Sequence, residues 1–87
     1  MDNTEQFINT VRNGVATVAF KKIGTDEIRV MPCTLNSEVA GIDILIKDIS
    51  ATSDHLVVWC IDKEAWRSFR VNTVINWHAG YPEGYEL

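Results

Sequence analysis

The sequence predicts a small, mainly β protein: a five-stranded barrel with one helix at its N-terminal end. The first observation is a run of three strand-like segments over residues 55–77, with a polar hairpin turn at 62–65 and a very tight corner at Asn72 and Thr73. Three consecutive strands joined this tightly are how a small barrel closes on itself. The second is an upstream hairpin, in which residues 15–22 and 28–35 flank turn chemistry at 23–27. The third is size, since 87 residues make one domain with room for a single modest core.

Residues 3–13 read as a short helix. Asp2, Asn3 and Thr4 are good N-cap residues with Glu5 and Gln6 close behind. Phe7, Ile8 and Val11 share one face at helical spacing, and Gly14 is placed to supply a left-handed stop. One narrow apolar stripe does not hold a helix in water alone, so the helix is expected across one end of the barrel. In the second strand Ile28, Val30 and Pro32 alternate with Arg29, Met31 and Cys33. Pro32 lacks a ladder donor and so marks an edge, a bulge or the bend of a curved strand. Residues 36–54 form a long connection with an extra strand or helical turn around 42–49 and mobile flanks at 36–38 and 50–54. The tail, residues 79–87, is rich in Gly and Pro and reads as irregular. The domain is therefore a helix at 3–13, a barrel at 15–78 and a tail, in the element order of an SH3-like barrel of the Sm type.

Composition narrows the function. A hydrophobic fraction of 46% excludes a disordered chain. The polar, acidic start and the lack of a long apolar run predict neither a secretory leader nor a membrane span, so the expected location is the cytoplasm. Cys33 and Cys60 lie in apolar strand patterns and read as buried free thiols of a reducing compartment. A net charge of −4 argues against a general nucleic-acid coat but leaves room for a local basic site. His55 and His78 have no partners at metal-ligand spacing, no phosphate-binding glycine loop precedes a helix, and no nucleophile signature appears. No cofactor, metal or catalysis is expected.

Two stretches carry a family resemblance. One is residues 20–35, Phe-Lys-Lys-Ile-Gly-Thr-Asp-Glu-Ile-Arg-Val-Met-Pro-Cys-Thr-Leu; the other is residues 57–77, whose specific part is Trp-Arg-Ser-Phe-Arg-Val at 66–71. Together they resemble the small Sm-like SH3-barrel family carried by bacteriophages, cyanophages included, whose name links it to the WYL domain. In Sm and Hfq proteins an arginine followed by glycine ends strand four, and the pair helps to line an RNA pocket. Arg70 matches that arginine, whereas Val71 stands in place of the glycine. The first Sm motif places an aspartate and an asparagine around the loop between strands two and three, which here is the long connection 36–54, and the resemblance assigns neither to a position in it. Sm-like proteins also form rings by pairing strand four of one subunit with strand five of the next. The resemblance thus implies a phage protein in the host cytoplasm, a cyclic homo-oligomer (pentamer to heptamer), and RNA or single-stranded nucleic acid as ligand.

Each candidate residue has an ordinary reading beside the functional one. Arg70 ends its strand at the corner beside Asn72, so it is the leading ligand residue; otherwise it pairs with a carboxylate such as Asp62 or Glu64, or caps a subunit contact. Arg67, three positions earlier, faces the other side of the strand as a solvated wall residue or a secondary contact. Trp66 could stack a base, although tryptophans, Trp59 and Trp77 among them, more commonly fill cores and interfaces. Lys22 and Arg29, with Lys21, could form a phosphate-facing patch or a solvated face balanced by Asp26 and Glu27. The expected ring contact comprises Phe69, Val71, Val74, Ile75 and Trp77, because nothing blunts that edge with lysine or proline. The leading expectation is a non-catalytic ring that binds RNA or single-stranded nucleic acid through repeated shallow sites. The alternative is a WYL-like small-ligand sensor or host-protein interaction module acting on transcription or defence.

Overall fold

A computed structural model describes residues 3–22, 24–45 and 52–85. The elements run α1 (Thr4–Asn13), β1 (Val15–Lys21), β2 (Ile28–Thr34), α2 (Ser37–Ala40), β3 (His55–Cys60), β4 (Ala65–Arg70), a 3-10 turn (Val71–Thr73) and β5 (Val74–Ala79). One antiparallel sheet holds all five strands in the order β4-β3-β2-β1-β5. The chain is thus mainly β, a five-stranded barrel-like sheet with an N-terminal helix, as the sequence predicts.

Alternation sets the two faces. Ala16, Val18 and Phe20 of β1, Met31 and Cys33 of β2, Leu56, Val58 and Cys60 of β3 and Phe69 of β4 point inward and are buried. The ring of Phe20 stacks on Phe69 with centroids 5.4 Å apart, although β1 and β4 share no hydrogen bonds. That contact across the interior curls the sheet into a barrel. Phe7 of α1 closes the end, edge-on to Phe69 at 6.0 Å and to Trp77 at 5.3 Å. Such aromatic pairs add about 0.5–1.5 kcal/mol each beyond area burial.

The helix is held at its C-terminal end, where backbone carbonyls lack intrahelical donors. The Leu35 N–H donates to the Val11 carbonyl (2.8 Å), the Asn36 amide to Arg12 (3.1 Å), and the buried Thr34 hydroxyl reaches the Val11 and Gly14 carbonyls. Two expectations for this helix are corrected. Asn3 adopts φ 61° and gives no side-chain cap, while Asp2 lies outside the described residues. Gly14 has φ 176°, extended backbone open to any residue, because donors from the end of β2 replace the left-handed stop.

Pro32 sits in a central strand, where its missing N–H removes one ladder bond toward β3. The Ile61 N–H donates to the Pro32 carbonyl (3.0 Å), so Pro32 presents its backbone toward β3. It returns no bond, and the β2–β3 register runs only from Cys33↔Cys60 to Thr34↔Trp59. The first half of β2 therefore pairs with β1 alone and the second half with both neighbours. Between β1 and β5 the register shifts at Ala19/Phe20, leaving Ile75 as the extra residue of a bulge, 55% exposed.

The long connection begins with the helical turn α2, so the expectation of a mobile flank at 36–38 is replaced by a bonded one. The Asn36 side chain accepts from the Glu38 and Val39 N–H groups, and the Asn36 N–H donates to Thr34 Oγ1. Gly41 closes the turn at φ 75°, the left-handed conformation glycine favours. Of the possible extra strand or helical turn at 42–49, residues 42–45 form neither, and residues 46–49 lie outside the described residues.

Candidate ligand cleft at the corner of β4 and β5

The corner is fixed by backbone bonds. The Val71 N–H donates to the Asp54 carbonyl (2.9 Å), and the Thr73 hydroxyl donates to the Arg70 carbonyl (2.7 Å). Residues 71–73 turn as one 3-10 helix, and Val71 has no positive φ. The chain therefore makes this corner without the glycine of the Sm motif. Arg70 and Asn72 are held exposed on its outer side.

An open cleft of about 680 Å³ lies beside the corner. Arg70, Asn72 and Thr73 form one wall; Lys21, Lys22 and Asp26 of the β1–β2 hairpin form the facing one. A smaller apolar hollow of about 210 Å³ is lined by Phe20 and Phe69 and shares Lys21, Lys22, Arg70 and Thr73 with the cleft. Arg70 also borders a polar hollow of about 580 Å³ with Asp54 and His55, which lies opposite it in the β3–β4 register. Arg70 is thus the wall common to three depressions.

The cations differ in their neutralisation. Lys21 is 3.2 Å from Asp26, and Lys22 is 4.0 Å from Glu27, both pairs within the hairpin and well exposed. Arg70 takes part in neither of these ion pairs, which are those found among the described residues. The expected alternative partners Asp62 and Glu64 lie at the far end of β4, in the turn before Ala65.

Of the predicted ligand residues, the structure gathers Arg70, Asn72 and Lys22 at one cleft and leaves three elsewhere. Arg29 is opposite Phe20 on the inner face, so it does not share a patch with Lys21 and Lys22. Its buried Nε atom has no hydrogen-bond partner. Arg67 is exposed and donates to the Trp66 carbonyl (3.0 Å). Trp66, 39% exposed, packs edge-on against Trp59 with centroids 5.5 Å apart. Thr73 and His55 border the site without having been singled out as ligand residues from the sequence, and Lys21 joins it from the patch expected with Lys22.

The predicted ring residues also separate. The Phe69 side chain belongs to the core, at 4% exposure, so it is not a surface contact. Val71, Val74 and Trp77 are partly buried against the same core, and Ile75 alone of the five projects as a large exposed side chain. β4 and β5 are nonetheless the two edges of the sheet.

Cys33 and Cys60 are buried free thiols, as expected. Burial pushes both up from their ordinary range; the hydrogen bond to Asp62 raises Cys60 further, while the Lys63 backbone and Arg29 oppose the rise. Among the described residues no group of His, Cys, Asp or Glu could hold a metal ion, and no helix is long and apolar enough to cross a membrane. No protein-family model, curated protein or solved structure matches the chain.

Proposed function

We propose that the chain is a non-catalytic Sm-like ring protein, of the type carried by bacteriophages, that binds RNA or single-stranded nucleic acid at the cleft between the β4–β5 corner and the β1–β2 hairpin. The observation that carries this reading is the convergence of Arg70, Asn72, Lys21 and Lys22 from distant parts of the sequence on one open depression. An arginine outside the local ion pairs suits a phosphate, which its planar fork can bind through two N–H groups. Asn72 carries both a donor and an acceptor for a base edge. The lysines add a screened, non-directional attraction.

The shape of the site favours a polymer over a small apolar effector. Pockets for drug-sized molecules span about 300–1,000 Å³ and are largely enclosed and apolar. Here the larger depression is open to solvent, its walls mixing charged side chains with Val74 and Ile75, and the more enclosed apolar hollow is only about 210 Å³. One such site is weak, so affinity would come from repetition around a ring. The two edges of the sheet, β4 and β5, supply complementary strands for that closure.

Native mass spectrometry and fluorescence anisotropy with a labelled single-stranded oligonucleotide test the reading together. A closed homo-oligomer whose oligonucleotide affinity falls steeply with salt is the expected result. A strict monomer would sink the ring. A ring with no salt-dependent binding would sink the nucleic-acid site and favour the sensor or partner-binding alternative.

A further inference from the structure

The two cysteines face each other across the shortest seam of the sheet. In an antiparallel ladder, opposed residues alternate between pairs that exchange hydrogen bonds and pairs that do not, the latter with Cα atoms about 4.5 Å apart. Pro32 and Ile61 occupy a hydrogen-bonding position, shown by the Ile61 N–H bond to the Pro32 carbonyl. Cys33↔Cys60 is the next pair along and is therefore a non-hydrogen-bonded one. The neighbouring ladders agree. The Lys22 N–H bond to the Glu27 carbonyl, stepped by two along the β1–β2 register, turns the Cys33 backbone toward β1; the Val71 N–H bond to the Asp54 carbonyl likewise turns Cys60 toward β4. Both side chains project onto the same inner face and are fully buried.

A disulfide requires Cα atoms about 4.4–6.8 Å apart and side chains on one side, and this register meets both conditions. The seam also gives the bond something to do. β1 and β2 pair over seven positions and β3 and β4 over six, whereas β2 and β3 pair over two. The β3–β4 hairpin is thus joined to the rest of the sheet by its shortest ladder.

We propose that Cys33 and Cys60 form a redox staple, a cross-strand disulfide that locks the β3–β4 hairpin to β2 when the protein meets a low-molecular-weight disulfide oxidant. One protein thiolate attacks the oxidant's S–S bond, forms a mixed disulfide and expels one small thiolate. The second protein thiolate attacks that mixed disulfide, closes the protein S–S bond and expels the other. Two protons leave the protein thiols, and two electrons reduce the oxidant to two thiols. In the reduced state Cys33 Sγ donates to the Ala16 carbonyl (3.4 Å) and Cys60 Sγ to Asp62 Oδ1 (2.7 Å), so the side chains must rotate out of those bonds to join. Because both sulfurs are buried, reaction awaits transient opening of the seam, which a two-pair ladder permits more readily than its neighbours do.

The test uses the full chain treated with oxidised glutathione under native conditions, then alkylated in denaturant and weighed intact. The staple predicts a monomer lighter by two hydrogens, resistant to alkylation at both cysteines and restored by dithiothreitol. Its melting temperature should rise by at least about 5 °C, since a cross-link restricts the unfolded chain. Cys33→Ala and Cys60→Ala should each abolish the mass change. A chain that stays fully alkylated, carries only glutathione adducts, links to a second copy or melts lower when oxidised would overturn the proposal. The wild-type mass decides the matter even if a variant fails to fold.

Discussion

Two dipeptides on strands that never pair, Phe20-Lys21 of β1 and Phe69-Arg70 of β4, are built alike. Each sends an aromatic ring inward and a cation outward, because successive strand residues face opposite sides. The rings stack at 5.4 Å, and the cations line the same cleft. The aromatics therefore position the cations. The difference lies outside, where Lys21 meets Asp26 at 3.2 Å while Arg70 joins no ion pair found among the described residues. Packing places the two charges, and a local carboxylate decides which is left to attract a ligand.

Breaking the shared interior should have the largest effect. Phe69 also touches Phe7, so truncation removes the contacts that join α1, β1 and β4. Phe69→Ala is expected to destabilise by about 3–5 kcal/mol in urea unfolding. A loss below about 1 kcal/mol would mean the rings do not hold the barrel together. Arg70→Ala should leave stability within about 0.5 kcal/mol but weaken oligonucleotide binding about tenfold or more, near the 1.5–3 kcal/mol of a charge-assisted bond. It should also flatten the logarithmic salt dependence by about 0.7 per site, the value for one single-strand phosphate contact. Lys21→Ala should weaken binding less than about threefold. Equal losses for the two variants would erase the distinction between the walls.

Alkali probes the interior as salt probes the rim. Burial holds the Cys33 thiol far above its ordinary value of 9.0, and Cys60 is raised as well. Above about pH 9 the unfolded chain releases these protons while the folded chain keeps them. A raised folded-state value contributes stability that is complete below the unfolded value and is lost as pH climbs toward the folded one. The urea midpoint should hold up to about pH 9 and then fall, by at most about 1.4 kcal/mol per pH unit for each thiol. Cys33→Ala should lower the starting stability yet reduce that slope, and a slope unchanged by the substitution would place its source elsewhere.

The strands were legible because burial of one face imposes a period of two, seen in Leu56, Val58 and Cys60 against His55, Val57 and Trp59. The tight corner at residues 72–73 was legible from its position between two such patterns. The same alternation also separates Phe69 from Arg70, which is why an interface role for the Phe69 side chain does not survive. Pairing between distant strands leaves no such local trace. Nothing near Lys21 says that β4 closes over β1, so the second wall of the cleft was only partly foreseen. His55 was recoverable, since counting back evenly from the β3–β4 turn sets it opposite Arg70. Gly14 failed for another reason: its expected conformation assumed a helix end that satisfies its own carbonyls, whereas Thr34, Leu35 and Asn36 do so from across the fold.

The smallest change sharpens the contrast between the walls most directly. Asp26 is fully exposed and touches Lys21 at 3.2 Å, and an exposed pair of this kind contributes about 0.2–1 kcal/mol at most. Asp26→Asn keeps the shape of the hairpin turn and removes the charge, so stability should change by less than about 0.5 kcal/mol. Lys21 then becomes as available as Arg70. Oligonucleotide affinity should rise about two- to threefold at low salt, and the salt dependence should steepen, because one more cation per subunit is free to displace counterions. The gain should vanish in the double variant Asp26→Asn, Lys21→Ala and persist in Asp26→Asn, Lys22→Ala. If Asp26→Asn raises affinity equally with and without Lys21, general charge and not the hairpin wall would be responsible, and Arg70 would stand as the cleft's principal contact.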